Sequence, residues 1–162
     1  MTSALEWIEA TTIAGLVRDT LWGFQIVVAV HILGMIVSVG LLVWMDLRLL
    51  GVALTRAPVS LVVRRLMPWF GTGFVVMFLS GAAIFAGYAT AAYPNVYFRI
   101  KMAAIVLAGL NALVYHFATE RRIAAWDSQS RPPAAARLAG LISLVLWTTV
   151  ILSGRLMSYT MF

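Results

Sequence analysis

The stretch TLWGFQIVVAVHILGMIVSVGLLVWM, residues 20–45, contains no Asp, Glu, Lys or Arg. A helix rises about 1.5 Å per residue, so about 20 apolar residues cross the roughly 30 Å of hydrocarbon in a bilayer. This run exceeds that length. In lipid its backbone N–H and C=O groups find partners only within a helix or a closed barrel. We therefore read it as a transmembrane helix, bounded by Asp19 on one side and by Asp46-Leu-Arg48 on the other.

Three more runs follow. Between Arg65 and Arg99 there is no charged residue, and Tyr93-Pro-Asn95 marks a connection near the end of that stretch. Met102 to Thr119 and Leu138 to Gly154 are shorter. They suffice when Lys101, Arg137 and Arg155 reach back to the interfaces. The expected spans are 21–47, 67–89, 98–119 and 137–157, in one domain over 1–162. Pro58 and Pro132-Pro133 interrupt helix between spans. Short connections pack consecutive helices antiparallel. The expected fold is all-α, an integral membrane four-helix bundle with a short N-terminal amphipathic helix. That helix is placed over 3–17, where Ser3 and Glu6 suit a capping box and Leu5, Ile8, Thr12 and Leu16 fall near one face. Glu6, Glu9, Arg18 and Asp19 before the first span differ from the basic start of a signal peptide.

Composition agrees. The chain is 62% hydrophobic and 11% charged, against roughly 45–50% and about 25% in soluble domains. With no cysteine, disulfides, thiolate metal sites and covalent c-type haem are excluded. The net charge of +6 comes from arginines and a single lysine. Arg48, Arg56, Arg64 and Arg65 flank the first connection, and Arg121, Arg122, Arg131 and Arg137 the third. Arg18, Arg99, Lys101 and Arg155 lie toward the other side. This bias reads as membrane orientation, not as nucleic-acid binding. It places the two arginine-rich loops in the cytoplasm of a bacterial inner membrane, with both termini outward. Trp22, Trp44, Trp69, Tyr93, Tyr97 and Trp147 fall near the proposed interfaces. Small residues (Gly71, Gly73, Ser80, Gly81 and Gly87; Ala104, Ala108 and Ala112; Gly140, Ser143 and Gly154) suit close helix contacts or a flat ligand.

Ionisable residues within spans are few, and each needs a reason. His31 sits about 13 Å below Trp22, on a face with Gly34, Met35 and Ser38. An imidazole there can ligate haem iron, relay protons or hydrogen-bond another helix. Lys101 is either an interfacial anchor or an inward amine that ligates iron or pairs with a propionate. His116 lies roughly 22 Å farther along the third span, as a ligand or as an interfacial hydrogen-bonding group. Depth favours His31 with Lys101 over His31 with His116 as ligands of one haem. A second haem at His116 would need another ligand, such as a methionine or a neighbouring subunit. Asp46, Arg48, Arg64 and Arg65 suit an ion-pair cluster at the cytoplasmic surface. No Asp or Glu lies deep in a span, unlike a proton-coupled transporter, and no phosphate loop or zinc-spaced His/Glu pair occurs.

Several motifs match known families. His31-Ile-Leu-Gly, Gly40-Leu-Leu and Asp46-Leu-Arg48 resemble the first helix of the four-helix protoporphyrinogen oxidase family and of the CopD-like copper-resistance membrane family. Arg64-Arg65-Leu-Met-Pro68 with Ser80-Gly81 resembles their second helix, and Phe98-Arg-Ile-Lys101-Met with Tyr115-His116 their third. The whole chain resembles a group of bacterial four-helix membrane proteins with a domain of unknown function. The oxidase resemblance implies haem b held by His31 and Lys101. Leu47 stands where that family has proline, its further histidine is missing, and the step from Lys101 to His116 is about one turn longer. These differences weigh on porphyrinogen oxidation more than on haem ligation.

The expectation is a protein that binds haem b and serves electron transfer or haem-dependent oxidation of a hydrophobic substrate, a quinol or porphyrin. Whether it is an enzyme stays open. The expected partners are the lipid bilayer, quinone or porphyrin, and a homo-oligomer or larger membrane complex. The alternatives are a cofactor-free accessory or assembly subunit and, on thin ligands such as Met35 and Met45, copper handling.

Overall fold

The structure is a computed structural model and describes residues 2–161, with side chains from Ala4 onward. The Ser3 side chain, and with it the capping box, lies outside the described residues. Every described element is helical: α1 (Thr2–Glu9), α2 (Thr12–Arg18), α3 (Gly23–Leu50), α4 (Val59–Gly87), α5 (Ala89–Ala92), α6 (Val96–Ala118), a 3-10 turn at Glu120–Ala125, and α7 (Ala134–Met161). Helices α3, α4, α6 and α7 are each long and apolar enough to cross a membrane. The chain is a multi-pass membrane protein of the all-α four-helix class.

α3 packs mainly on α4, α6 on α7, and α3 joins the two pairs through α7. α4 and α6 meet at a stack of Phe85 on Phe98, with centroids 5.1 Å apart. The core holds Val39, Met77, Ala104, Ala108, Trp147 and Val150. Lipid takes the place of water outside it, so large apolar residues such as Leu33, Phe78, Leu107 and Val145 stay exposed.

The α3–α4 crossing is the tightest contact. A Cβ on Gly34 would lie 2.8 Å from the Met77 amide nitrogen, and one on Gly73 2.8 Å from that of Ser38. The two glycines let the backbones touch. Gly71, expected at a helix contact, instead faces open space. Ala104 and Ala108 are buried as the spacing suggested, but Ala112 is exposed.

α4 begins at Val59, before the expected start at residue 67. The arginines at 64 and 65 suggested solvent, but the helix runs through them and through Pro68. Pro58 stands at its start with φ −56°, which a helix entry accepts. Asp127, from the third connection, caps this end: its Oδ1 accepts from the Ser60 amide at 2.7 Å and its Oδ2 from the Ser60 hydroxyl at 2.6 Å.

The N-terminal segment, expected as one helix over 3–17, is two. The break comes at Thr11, which is extended (φ −70°, ψ 152°) and whose hydroxyl caps α2 by accepting from the Ala14 amide. α2 turns Ala14 and Val17 inward, onto Gly87 of α4, and leaves Ile13 and Leu16 exposed. Glu9 fixes the segment to α5. Its carboxylate accepts from the amide and the hydroxyl of Thr90, both at 2.8 Å. Asn95 donates to the Thr160 hydroxyl at 2.9 Å. Both chain ends therefore lie at one end of the bundle, and the two arginine-rich connections lie at the other.

Candidate functional site

His31 is in the terminus-bearing half of α3, one turn before Gly34. Its Nδ1 lies 2.8 Å from the Met77 carbonyl oxygen of α4 and 3.2 Å from the Ser80 hydroxyl. A carbonyl only accepts, so Nδ1 carries the proton. With the ring neutral, Nε2 is a bare lone pair. Among the described residues no hydrogen bond engages Nε2. The Ser80 hydroxyl in turn donates back to the Val76 carbonyl at 2.6 Å. Gly81 makes room for the ring, because a Cβ there would stand 3.0 Å from His31 Cε1.

Ser80 also borders an open apolar groove between α3 and α4, lined by Val27, Val30, Val76, Leu79 and Ala83, of about 340 Å³.

Lys101 enters the same half of the bundle from α6. It is half-buried. Gly154 of α7 admits its stem: a Cβ at Gly154 would lie 3.5 Å from Lys101 Nζ. Among the described residues its ammonium has neither an ion-pair nor a hydrogen-bond partner. The two residues singled out from depth thus lie in the same half of the bundle, His31 against α4 and Lys101 against α7.

His116 is elsewhere. It is exposed at the arginine-rich end, with Nδ1 2.7 Å from Glu120 Oε2 one turn on. Its ring also meets Phe117 edge-on, at 5.1 Å. Nothing brings it toward His31.

The suggested cluster of Asp46, Arg48, Arg64 and Arg65 is replaced by a different arrangement. Arg48 is wholly buried. Its Nε donates to the Ala57 carbonyl at 2.8 Å, and one terminal nitrogen donates to the carbonyls of Asp127 and Gln129, at 3.4 and 3.0 Å. It ties the first and third connections to α3. Asp46 is buried beside Ser143, while Arg64 and Arg65 are exposed. The physical reason is geometric. Gly51 ends α3 in the left-handed region (φ 73°), which turns the loop carbonyls back over the guanidinium.

Sequence reasoning missed three parts of this arrangement: the Met77 carbonyl, the Ser80 hydroxyl and the Arg48 clasp. Ser80-Gly81 was visible as a small-residue pair. That it faces His31 depends on the register of α4 against α3, which no local pattern carries.

Chemically, the site offers an imidazole whose Nδ1 proton is held by a carbonyl and a half-buried amine, in apolar surroundings. A ligating histidine commonly donates its other N–H to a backbone carbonyl, which fixes ring orientation and raises basicity. The His31–Met77 bond has that form, so the His31 ring is compatible with a metal at Nε2. Among the described residues no three His, Cys, Asp or Glu side chains gather as a metal cluster.

No curated protein and no solved structure matches the chain. Nothing in the comparisons links it to the four-helix protoporphyrinogen oxidases or to the CopD-like proteins. A family model does match residues 4–160, almost the whole length, and the chain belongs to that family, described as "Family of unknown function (DUF6644)".

Proposed function

We propose that this protein binds one haem b in the terminus-bearing half of the bundle, with His31 Nε2 as axial ligand. Lys101 supplies the second ligand as an amine, or pairs with a propionate as an ammonium. The single observation that carries the reading is the His31 Nδ1–Met77 carbonyl bond, which leaves Nε2 free for a metal. The role is membrane electron transfer or oxidation of a hydrophobic substrate, a quinol or porphyrin. Bound haem would supply the one-electron chemistry. The chain supplies ligation, orientation and a low dielectric. The motif resemblance to the four-helix oxidases supports the same pair of residues. The arginine bias supports a bacterial inner membrane with both termini outward.

The test is an optical spectrum of the protein purified in mild detergent from haem-replete cells, oxidised and then reduced with dithionite. A Soret band and b-type reduced bands are expected, lost in His31→Ala and kept in His116→Ala. Loss in His116→Ala as well would mean a second site. A colourless, folded wild-type protein would overturn the reading and leave the accessory-subunit role.

A further inference from the structure

The arginine-rich end carries a second feature, separate from the His31 region. Where the first connection enters α4, Leu54, Ala57, Leu61, Val62, Arg65 and Leu66 enclose an open groove of about 210 Å³. Five of these are apolar and one is a cation. Leu61, Val62 and Arg65 share a face of α4 by their three- and four-residue spacing. Side chains of a helix lean toward its N-terminus. The N-terminus of α4 is at the arginine-rich end, so Arg65 leans back over the Leu61 turn, toward the membrane surface. A guanidinium then stands at the mouth of an apolar slot.

The wall of this slot is firmly held. The buried Arg48 binds the Ala57 carbonyl at 2.8 Å, and the Val59 amide donates to the Asp127 carbonyl at 3.1 Å. The loop that carries Leu54 and Ala57 is therefore tied to α3, and the start of α4 to the third connection.

Charge decides the occupant. The chain has only six acidic residues. At this end, Asp46 is buried beside Ser143, Glu120 pairs with His116, and Asp127 is taken by Ser60. Among the described residues the ion pairs are Arg18–Asp19 and His116–Glu120. Arg65 thus has no carboxylate of its own chain; Arg64, next to it in sequence, and Arg56, in the connection before α4, are both exposed. The complement is an anion with an apolar tail, at the level of a lipid headgroup.

We infer that this groove is a binding site for one anionic phospholipid, with an acyl chain against Leu54, Leu61 and Leu66 and the phosphate on Arg65. The test is native mass spectrometry of the full chain, released from nanodiscs of phosphatidylglycerol mixed with phosphatidylcholine. The wild type should retain one phosphatidylglycerol, in preference to phosphatidylcholine by about fivefold, the worth of one arginine near an anionic surface. Arg65→Gln should lose the preference. Leu61→Trp, which fills the slot and keeps every arginine, should lose the retained lipid. Arg121→Gln, whose guanidinium lies over the Phe117 ring 4.7 Å away, should behave as wild type. Equal retention of both lipids by the wild type would overturn the proposal. So would an unchanged Arg65→Gln, or an Arg121→Gln that loses as much.

Discussion

At the scale of single residues, the bond from His31 to the Met77 carbonyl joins α3 to α4 and puts the proton on Nδ1, which leaves Nε2 for the iron we propose. Lys101 can be tested apart from His31. If its amine ligates iron, Lys101→Met changes the visible spectrum of the bound haem. If its ammonium pairs with a propionate, the bands stay and the midpoint potential falls, because a positive charge near the reduced centre has gone. Unchanged spectrum and potential together would remove Lys101 from the site. A second prediction concerns Asp127 in the third connection. The hydroxyl and amide of Ser60 hold its carboxyl below the usual carboxylate range. A lowered folded value means that its stabilisation is present above the unfolded value, about 3.9, and is lost as pH falls through the folded one. The thermal midpoint should drop on acidification below about pH 4, and less steeply in Asp127→Asn, which keeps an acceptor for the Ser60 amide. An identical slope in both proteins would count against Asp127. Of the site, His31 and Lys101 were legible from the sequence because ionisable groups in apolar runs are conspicuous. Met77 was not, since its contribution is a carbonyl that every residue possesses.

At the scale of elements, the α3–α4 pair is set by the glycines at 34 and 73. Gly34→Ala would push a methyl into the Met77 backbone, at 2.8 Å from its nitrogen. Overpacking of this kind costs about 1–3 kcal/mol. A methyl on Gly40 would meet nothing within 4 Å, so Gly40→Ala should be neutral or should gain up to about 1 kcal/mol from helix propensity. Thermal unfolding in detergent checks both, and equal effects would mean that the crossing is not the tight contact described. Arg48→Met should cost about 3 kcal/mol, since three loop carbonyls lose a charged donor. The four helices were legible from charge-free runs alone. Their ends were less so. Arg64 and Arg65 suggested that α4 starts near residue 67, yet Asp127 caps it at Ser60, and a cap supplied from another connection leaves no local trace. The break at Thr11 did have a trace, a threonine pair before an apolar run, which the amphipathic pattern over 3–17 concealed.

At the scale of the whole molecule, the two ends of the bundle differ in charge, and the His31 region and the lipid groove fall at opposite ends. If the arginine-rich end faces the cytoplasm, the half for which we propose haem faces outward, and on that proposal an electron partner meets it from that side or from within the membrane. Charge bias alone carries this orientation, because the fold is compatible with either direction. The chain has no cysteine, so single cysteines report without background. Ala91 and Ser128 are exposed, at the terminus-bearing and arginine-rich ends respectively, and neither makes a side-chain hydrogen bond or ion pair described above. In intact spheroplasts a membrane-impermeant maleimide should label Ala91→Cys at once and Ser128→Cys only after lysis. The opposite pattern would invert the protein, turn His31 and Lys101 toward the cytoplasmic half, and make a cytoplasmic reductant the natural source of electrons. Labelling of both before lysis would mean that the two ends share one side, which four spanning helices in this order do not permit.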